Sequence, residues 1–241
     1  MGLLIQNGTV VTADKTFLAD ILTEGETIKE IRAGISPAPA HKTLDATGMN
    51  HWNVQPDILV TAKGITSAYV PLGLCATTAK IAQHFEDHYF AHGHTYEAHP
   101  LTLAPAVATI HEIQRLNLVE RAKEVGSYLG DKLKALTAKH PSIGEVRGLG
   151  MFWAVDLVKN KETKEPFNTM RDKVSGTPLV VDHVAAEMMK RGVTVQAWVS
   201  HFVVAPPLII SEGEIDQGVA QLDAALTIAD DAITNSSSAA S

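Results

Sequence analysis

Pro56-Asp57-Ile58-Leu59-Val60-Thr61-Ala62-Lys63-Gly64 sets a lysine directly after an apolar, partly β-branched run and directly before a glycine. That pattern predicts a strand that ends at the lysine. Towards the carboxyl terminus, similar strand-like runs alternate with long amphipathic helices, which points to an α/β or α+β architecture. Within 118–139, apolar Val119, Ala122, Val125, Leu129, Leu133 and Leu136 recur at helical spacing, while Glu120, Lys123, Asp131 and Lys134 fall outside the stripe. One amphipathic helix is predicted there. Arg147-Gly148 and Gly150 punctuate two further strand-like runs, 143–146 and 151–157. The polar stretch 159–173 is expected to be a mobile loop. A last helix is announced by Ser211-Glu212-Gly213-Glu214, a capping box in which serine and glutamate satisfy each other's free amides. Behind it Ile215, Val219, Leu222 and Leu226 share one face, and 235–241 is expected to fray.

Towards the amino terminus the text changes. From 3 to 45 it consists of short β-type runs separated by turn residues at Asn7-Gly8, Asp14-Lys15 and Glu24-Gly25-Glu26, which predicts a small antiparallel meander. Pro37 and Pro39 exclude the stretch around them from a sheet interior.

The whole chain has 241 residues, 45% hydrophobic and 20% charged, enough for one large or two small globular domains. A net charge of -7 leaves no basic surplus for a phosphate backbone, so nucleic acid is excluded as an expected partner. The single Cys75 has no internal disulfide partner, which fits a reduced, cytoplasmic setting. The opening residues carry neither a charged leader nor a long apolar core, so no signal peptide and no membrane span is expected.

A lysine at a strand end with a buried stem is suited to attack an aldehyde, because partial desolvation favours the free amine. The same local pattern also describes a solvated lysine beside a turn. Histidines 84, 88, 92, 94, 99 and 201 show no convincing metal constellation and are expected to be polar loop and core residues; no metal is predicted.

The string from His51-Trp52-Asn53-Val54-Gln55 to Lys63-Gly64-Ile65-Thr66 resembles the lysine motif of class III aminotransferases, including the omega-transaminases. The resemblance continues, in family order, through Pro71-Leu72-Gly73, His92-Gly93-His94-Thr95-Tyr96 to His99-Pro100, Arg147-Gly148-Leu149-Gly150 and Ala205-Pro206-Pro207-Leu208. It implies a pyridoxal-phosphate-dependent enzyme of fold type I, with part of a large α/β domain and its parallel sheet over 51–141 and a small α+β domain over 142–234. Lys63 would be the Schiff-base lysine that binds pyridoxal 5'-phosphate, yields to an amino substrate and then shuttles the proton. Thr95 matches the threonine whose hydroxyl and amide hold the cofactor phosphate, usually of the neighbouring subunit, which implies a homodimer with shared sites. On its own Thr95 reads equally well as a turn cap. Arg147 belongs to a glycine turn and is assigned a structural role. Gln196 departs from the family: many omega-transaminases place there an arginine that receives a substrate carboxylate, whereas an amide supplies no charge. The substrates implied are a small-molecule amine or omega-amino acid and a keto acid such as pyruvate, with a sulfonate donor made conceivable by Gln196.

Ahead of His51 the family carries a glycine-rich phosphate turn, an aromatic residue stacked on the ring and an aspartate at the pyridine nitrogen, none of which has a counterpart here. Residues 1–48 instead resemble the amino-terminal β segment of hydantoinases and dihydropyrimidinases, through Leu4-Ile5-Gln6-Asn7-Gly8-Thr9-Val10-Val11 and Leu44-Asp45-Ala46-Thr47-Gly48. A chimera joined near Met49 and Asn50 is expected, with uncovered sheet edges that favour self-association. The rival expectations are a non-catalytic folded fragment and a hydantoinase-type amidohydrolase.

Overall fold

The computed structural model describes residues 3–11, 16–24, 27–32, 42–43, 52 and 54–238, with side chains described at Trp52 and over 54–234. The chain forms two compact units that divide after Asn117.

In the first unit β1 (Leu3–Val11), β2 (Thr16–Glu24) and β3 (Thr27–Arg32) pair antiparallel, as the turn residues predict. Two details differ. Asn7-Gly8 is no turn: it lies inside β1, where the register shifts between Ile5 and Gly8, because a strand can absorb an extra glycine as a bulge. The short β4 (Lys42–Thr43) runs parallel to β1 and does not continue the meander. The stretch around Pro37 and Pro39 and the expected join at Met49 and Asn50 lie outside the described residues.

β5 (Ile58–Ala62) pairs antiparallel with β6 (Gly73–Thr77), Ala62 standing opposite Gly73. The expected parallel pairing does not form between them. A parallel crossover needs about a dozen or more residues, and the loop from Lys63 to Leu72 is too short for one. Helix α1 (Ala79–Asp87) follows, then α2 (Pro100–Arg115). Pro100 opens α2, where its missing N–H is no loss, and the His99 ring accepts from the Leu101 amide at 3.2 Å.

The second unit is a helix layer on an antiparallel sheet. Helix α3 (Leu118–Leu136) leads into the hairpin β7 (Ile143–Leu149) and β8 (Phe152–Asn160). β9 (Glu165–Pro166) folds back on β8, and α4 (Met170–Ser175) and α5 (Val180–Lys190) follow. β10 (Gln196–Trp198), β11 (His201–Val204) and the long α6 (Glu212–Ser238) complete it, with strand order β10-β11-β8-β7. Trp153, Val155 and Leu157 of β8 are buried while Ala154 and Asp156 between them are half-buried, so one sheet face carries the core. Onto it pack Val125, Leu129, Leu133 and Leu136 of α3, Val181, Val184 and Met188 of α5, and Ile215, Leu222 and Leu226 of α6. The helical stripes predicted for α3 and α6 therefore build one core, that of the second unit.

Helix α3 lies unusually close to the hairpin. A Cβ on Gly126 would stand 2.2 Å from the Gly150 carbonyl oxygen, and one on Gly130 would meet the Trp153 ring at 2.1 Å. Gly148 would likewise drive a Cβ into β8 and Trp153, and Gly150 itself has φ of +54°. The glycines of the Arg147–Gly150 turn thus serve close approach, and Trp153 donates its indole N–H to the Gly150 oxygen at 2.7 Å. Arg147 pairs with Asp156 and Glu145, which agrees with a structural role.

The 159–173 stretch is not a mobile loop but a hairpin and a capped helix: Asn160 accepts from the amides of Glu162 and Thr163, and Thr169 and Asp172 form a reciprocal capping box. Its polar side chains are used up in capping backbone amides, which is why the stretch is polar and still ordered. The predicted box at Ser211 and Glu214 forms at 2.8 and 3.2 Å. Helix α6 continues to Ser238, into the stretch expected to fray, because extending an existing helix is far easier than starting one.

A polar clasp fixes the chain between α3 and β7 against α6. His140 is buried with its two ring nitrogens 2.7 Å from Asp223 and 2.7 Å from Asp230. Ser142 donates to Asp230 at 2.6 Å, and Lys139 pairs with Asp223 at 2.7 Å.

Candidate active site

The strand end predicted at Lys63 is present, and its backbone is strained. Ala62 is extended at φ of -159°, then Lys63 turns to φ of +55° and opens a 3-10 turn, Lys63–Thr66. Ser67 and Ala68 follow at +49° and +62°. Three non-glycine residues in the left-handed region within six positions cost about 1–2 kcal/mol each and persist only where the surroundings over-determine them, as they do at ligand sites.

Thr66 supplies that determination. It is fully buried, its hydroxyl lies 2.8 Å from the Val70 carbonyl oxygen and 3.3 Å from that of Lys63, and so one side chain ties both ends of the loop. Backbone bonds from Ser67 to Gly64, Ala68 to Lys63 and Tyr69 to Thr66 close the turn. The signal for Thr66 was in the sequence, three positions past the lysine, but nothing local marked it as buried.

The loop borders an open depression of about 540 Å³ lined by Ala62, Lys63, Ala68, Val70, Leu72 and Gly73 among others. Lys63 is exposed, not stem-buried as expected. Among the described residues β5 and β6 pair only with each other, and Ile58 at 54% and Val60 at 72% exposure stand uncovered beside it. Among the described residues no carboxylate pairs with Lys63, which is exposed at the edge of the depression.

Thr95 is exposed in the turn 95–98 that precedes α2, and it is not among the residues lining the depression. Its hydroxyl caps nothing within the described residues; the turn is closed by the Glu97 amide on the His94 oxygen at 3.0 Å. Gln196 opens β10 in the second unit, exposed, its amide engaged only with the neighbouring Ala197 carbonyl at 3.5 Å. On the same side of β10, Trp198 carries the Lys173 ammonium 3.6 Å above its ring. Sequence inspection did not pick out Lys173, whose proximity to Trp198 comes from the folding back of α4. The Ala205–Leu208 segment is held by Arg121 of α3, which donates to the Leu208, Ile209 and Ile210 carbonyls.

The profile of the family described as Aminotransferase class-III matches residues 29–226. A taurine–pyruvate aminotransferase of Bilophila wadsworthia is 36% identical over 187 residues, which cover 75% of this chain and 40% of that protein. Among solved structures, an (S)-enantioselective omega-transaminase from Thermomicrobium roseum is 38% identical with a TM-score of 0.67, over 76% of this chain and 39% of the other. An amine transaminase from an uncultivated Pseudomonas species, in its PLP-bound form, is 34% identical with a TM-score of 0.68, over 75% and 40%. The chain therefore spans about two fifths of the length of the relatives it matches.

Proposed function

The chain belongs to the class III aminotransferase family, and on that premise we propose that it carries the lysine half of a transaminase site of fold type I, with Lys63 as the residue that binds pyridoxal 5'-phosphate. The observation that carries this is the combination at one strand end of an exposed, unpaired amine, a left-handed backbone held by buried Thr66, and an open depression of about 540 Å³. Those residues fit an aldehyde cofactor: the amine is accessible, and the depression leaves room beside it.

Bound there, the cofactor supplies an electron sink for the bond broken at the substrate carbon. Lys63 Nζ would hold the cofactor's aldehyde carbon and, once freed by the donor, would move a proton at the donor's amine-bearing carbon. Thr95 is proposed to donate its hydroxyl to the phosphate. Gln196 is proposed to hydrogen-bond the acid group of a donor, and an uncharged amide there suits simple amines or sulfonates better than a carboxylate needing a bidentate cation. The donor is a primary amine or omega-amino acid and the acceptor a keto acid such as pyruvate.

Site sharing in a homodimer is supported by the uncovered apolar surface of the first unit, where Tyr69, Tyr89, Tyr96 and Leu101 are 72–91% exposed. A cytoplasmic setting is supported by the single free Cys75; no helix among the described residues is long and apolar enough to cross a membrane. The layout proposed is a hydantoinase-like β segment over 1–50, aminotransferase text over 51–141 and 142–234, and a tail at 235–241. The chimera is supported by the separate four-stranded sheet of β1 to β4, while the family match begins at residue 29. Sequencing the intact locus tests it: two complete neighbouring genes would refute the fusion.

One competing reading has an observation behind it. Coverage of about two fifths of the relatives and the exposure of Lys63 are also what a non-catalytic folded fragment would show. Mixing the purified chain with pyridoxal phosphate, reducing with borohydride and mapping the label by mass decides between them. Label concentrated on Lys63 is expected; label spread evenly over surface lysines supports the fragment.

A further inference from the structure

In the segment that joins α3 to β7, His140 is buried at 6% exposure, a titratable side chain with no part in the reading at Lys63. Its ring stands between two carboxylates of α6: Nε2 lies 2.7 Å from Asp223 and Nδ1 lies 2.7 Å from Asp230. The two aspartates are seven positions apart, two turns of one helix, so both reach the same side. The contact spans 83 and 90 residues of chain and is made only by folding.

Hydrogen-bond valence decides where the protons are. Lys139 donates to the second oxygen of Asp223 at 2.7 Å, and an ammonium only donates. The Ser142 hydroxyl and amide donate to Asp230 Oδ1 at 2.6 and 3.2 Å, which leaves Oδ2 facing the ring. Both aspartates are therefore set up as acceptors, and the bonds from Lys139 and then His140 hold the Asp223 carboxyl below its ordinary range. Two acceptors require two donors, and a neutral imidazole has one. If one ring proton left, a nitrogen lone pair would face a carboxylate oxygen, and α6 would lose one of its two tethers. The cations on the neighbouring elements are engaged elsewhere: Lys134 of α3 lies over the Trp153 ring, and Lys161 beyond β8 donates to the Thr137 carbonyl. Among the described residues, Asp223 and Asp230 are the charged groups bonded to the ring.

We propose that His140 is a proton-operated lock on α6: with a proton on each nitrogen it bridges Asp223 and Asp230 and fastens the last helix to the α3–β7 connection, and on losing one it releases an aspartate. Unfolding returns the ring to the ordinary imidazole value of about 6.5. Above that pH the folded chain binds one proton more than the unfolded chain, so the contribution is fully present below it and is lost as pH rises. One proton of difference changes the folding equilibrium constant by about tenfold per pH unit. The lock is independent of the transaminase assignment, since none of its residues lines the depression at Lys63.

Urea unfolding of the full chain, followed by circular dichroism at steps from about pH 6.5 to about pH 8.5, spans the ordinary imidazole range and what lies above it. The folding constant of the native chain is expected to fall by up to about tenfold per pH unit. His183→Gln, at an exposed histidine of α5, keeps that slope, and His140→Gln, whose amide cannot take up the proton, loses it. Nitrogen-15 resonances of the native chain give a second reading that does not depend on any variant folding: a His140 ring protonated on both nitrogens at about pH 7.5, one unit above the ordinary imidazole value. A native chain without the slope, the same slope in His140→Gln, or a ring protonated on one nitrogen at that pH overturns the proposal.

Discussion

Gly126 and Gly218 both sit inside helices of the second unit, yet the same replacement by alanine is expected to move stability in opposite directions. Intrinsic propensity alone favours alanine over glycine by about 0.8–1 kcal/mol in either helix. At Gly218 in α6 nothing lies within 4 Å of the added Cβ, so that gain is realised and Gly218→Ala is stabilised by up to about 1 kcal/mol. At Gly126 in α3 the Cβ would stand 2.2 Å from the Gly150 oxygen and 2.3 Å from its carbonyl carbon. Both are backbone atoms of a turn held at φ of +54° and by the Trp153 indole, so no rotamer relieves the clash. Helix α3 must move off the hairpin by more than an ångström, which opens gaps around Leu129 and Leu133. Overpacking of this kind costs about 1–3 kcal/mol, more than the propensity gain returns, so Gly126→Ala is net destabilised. Urea unfolding followed by circular dichroism measures both, with the midpoint falling for Gly126→Ala and rising for Gly218→Ala at unchanged slope. Equal shifts of the same sign would refute the close packing of α3 on the Arg147–Gly150 turn.

Lys63→Gly should raise stability by about 1 kcal/mol, because glycine adopts the left-handed backbone of Lys63 without strain, while abolishing borohydride-fixed labelling at that position; a destabilised variant would contradict the strain. Thr66→Val, which keeps the shape but removes the hydroxyl bonded to the Val70 carbonyl, should cost about 1–3 kcal/mol and slow labelling of Lys63, both readable on one sample by thermal melting and mass mapping. The Asp223 carboxyl is held below its ordinary value first by the Lys139 hydrogen bond and then by that of His140. A depressed folded value means that its contribution is present above the unfolded value of about 3.9 and is lost as pH falls through the folded one. Asp223→Asn is therefore expected to be weaker than the native chain at neutral pH and to lose less on further acidification, a comparison made by denaturant midpoints at pH 7 and at successively lower pH; parallel curves would refute it.

Much of this molecule is written locally. The helical stripe at Val125, Leu129, Leu133 and Leu136, the capping box at Ser211 and Glu214, and the strand that ends at Lys63 all follow from period and cap chemistry, which act over a few residues and so are visible in sequence. The box at Thr169 and Asp172 was equally legible, but the polarity of its surroundings masked it. The ordered motifs from Lys63 to Ala205-Pro206-Pro207-Leu208 fixed the family for the same reason: they are strings, and strings survive without a fold.

What only the tertiary structure decided depends on what lies across from a residue. Whether Lys63 is covered depends on what lies beside β5 and β6, which among the described residues pair only with each other. Whether Gly126 and Gly130 are mere helix weaknesses or contact points depends on Gly150 and Trp153 lying opposite. The unit to which α3 belongs was settled by the sheet it packs on. Sequence carries propensity and pattern along the chain, whereas burial, close approach and shared ligands are properties of pairs that the chain brings together only when it folds.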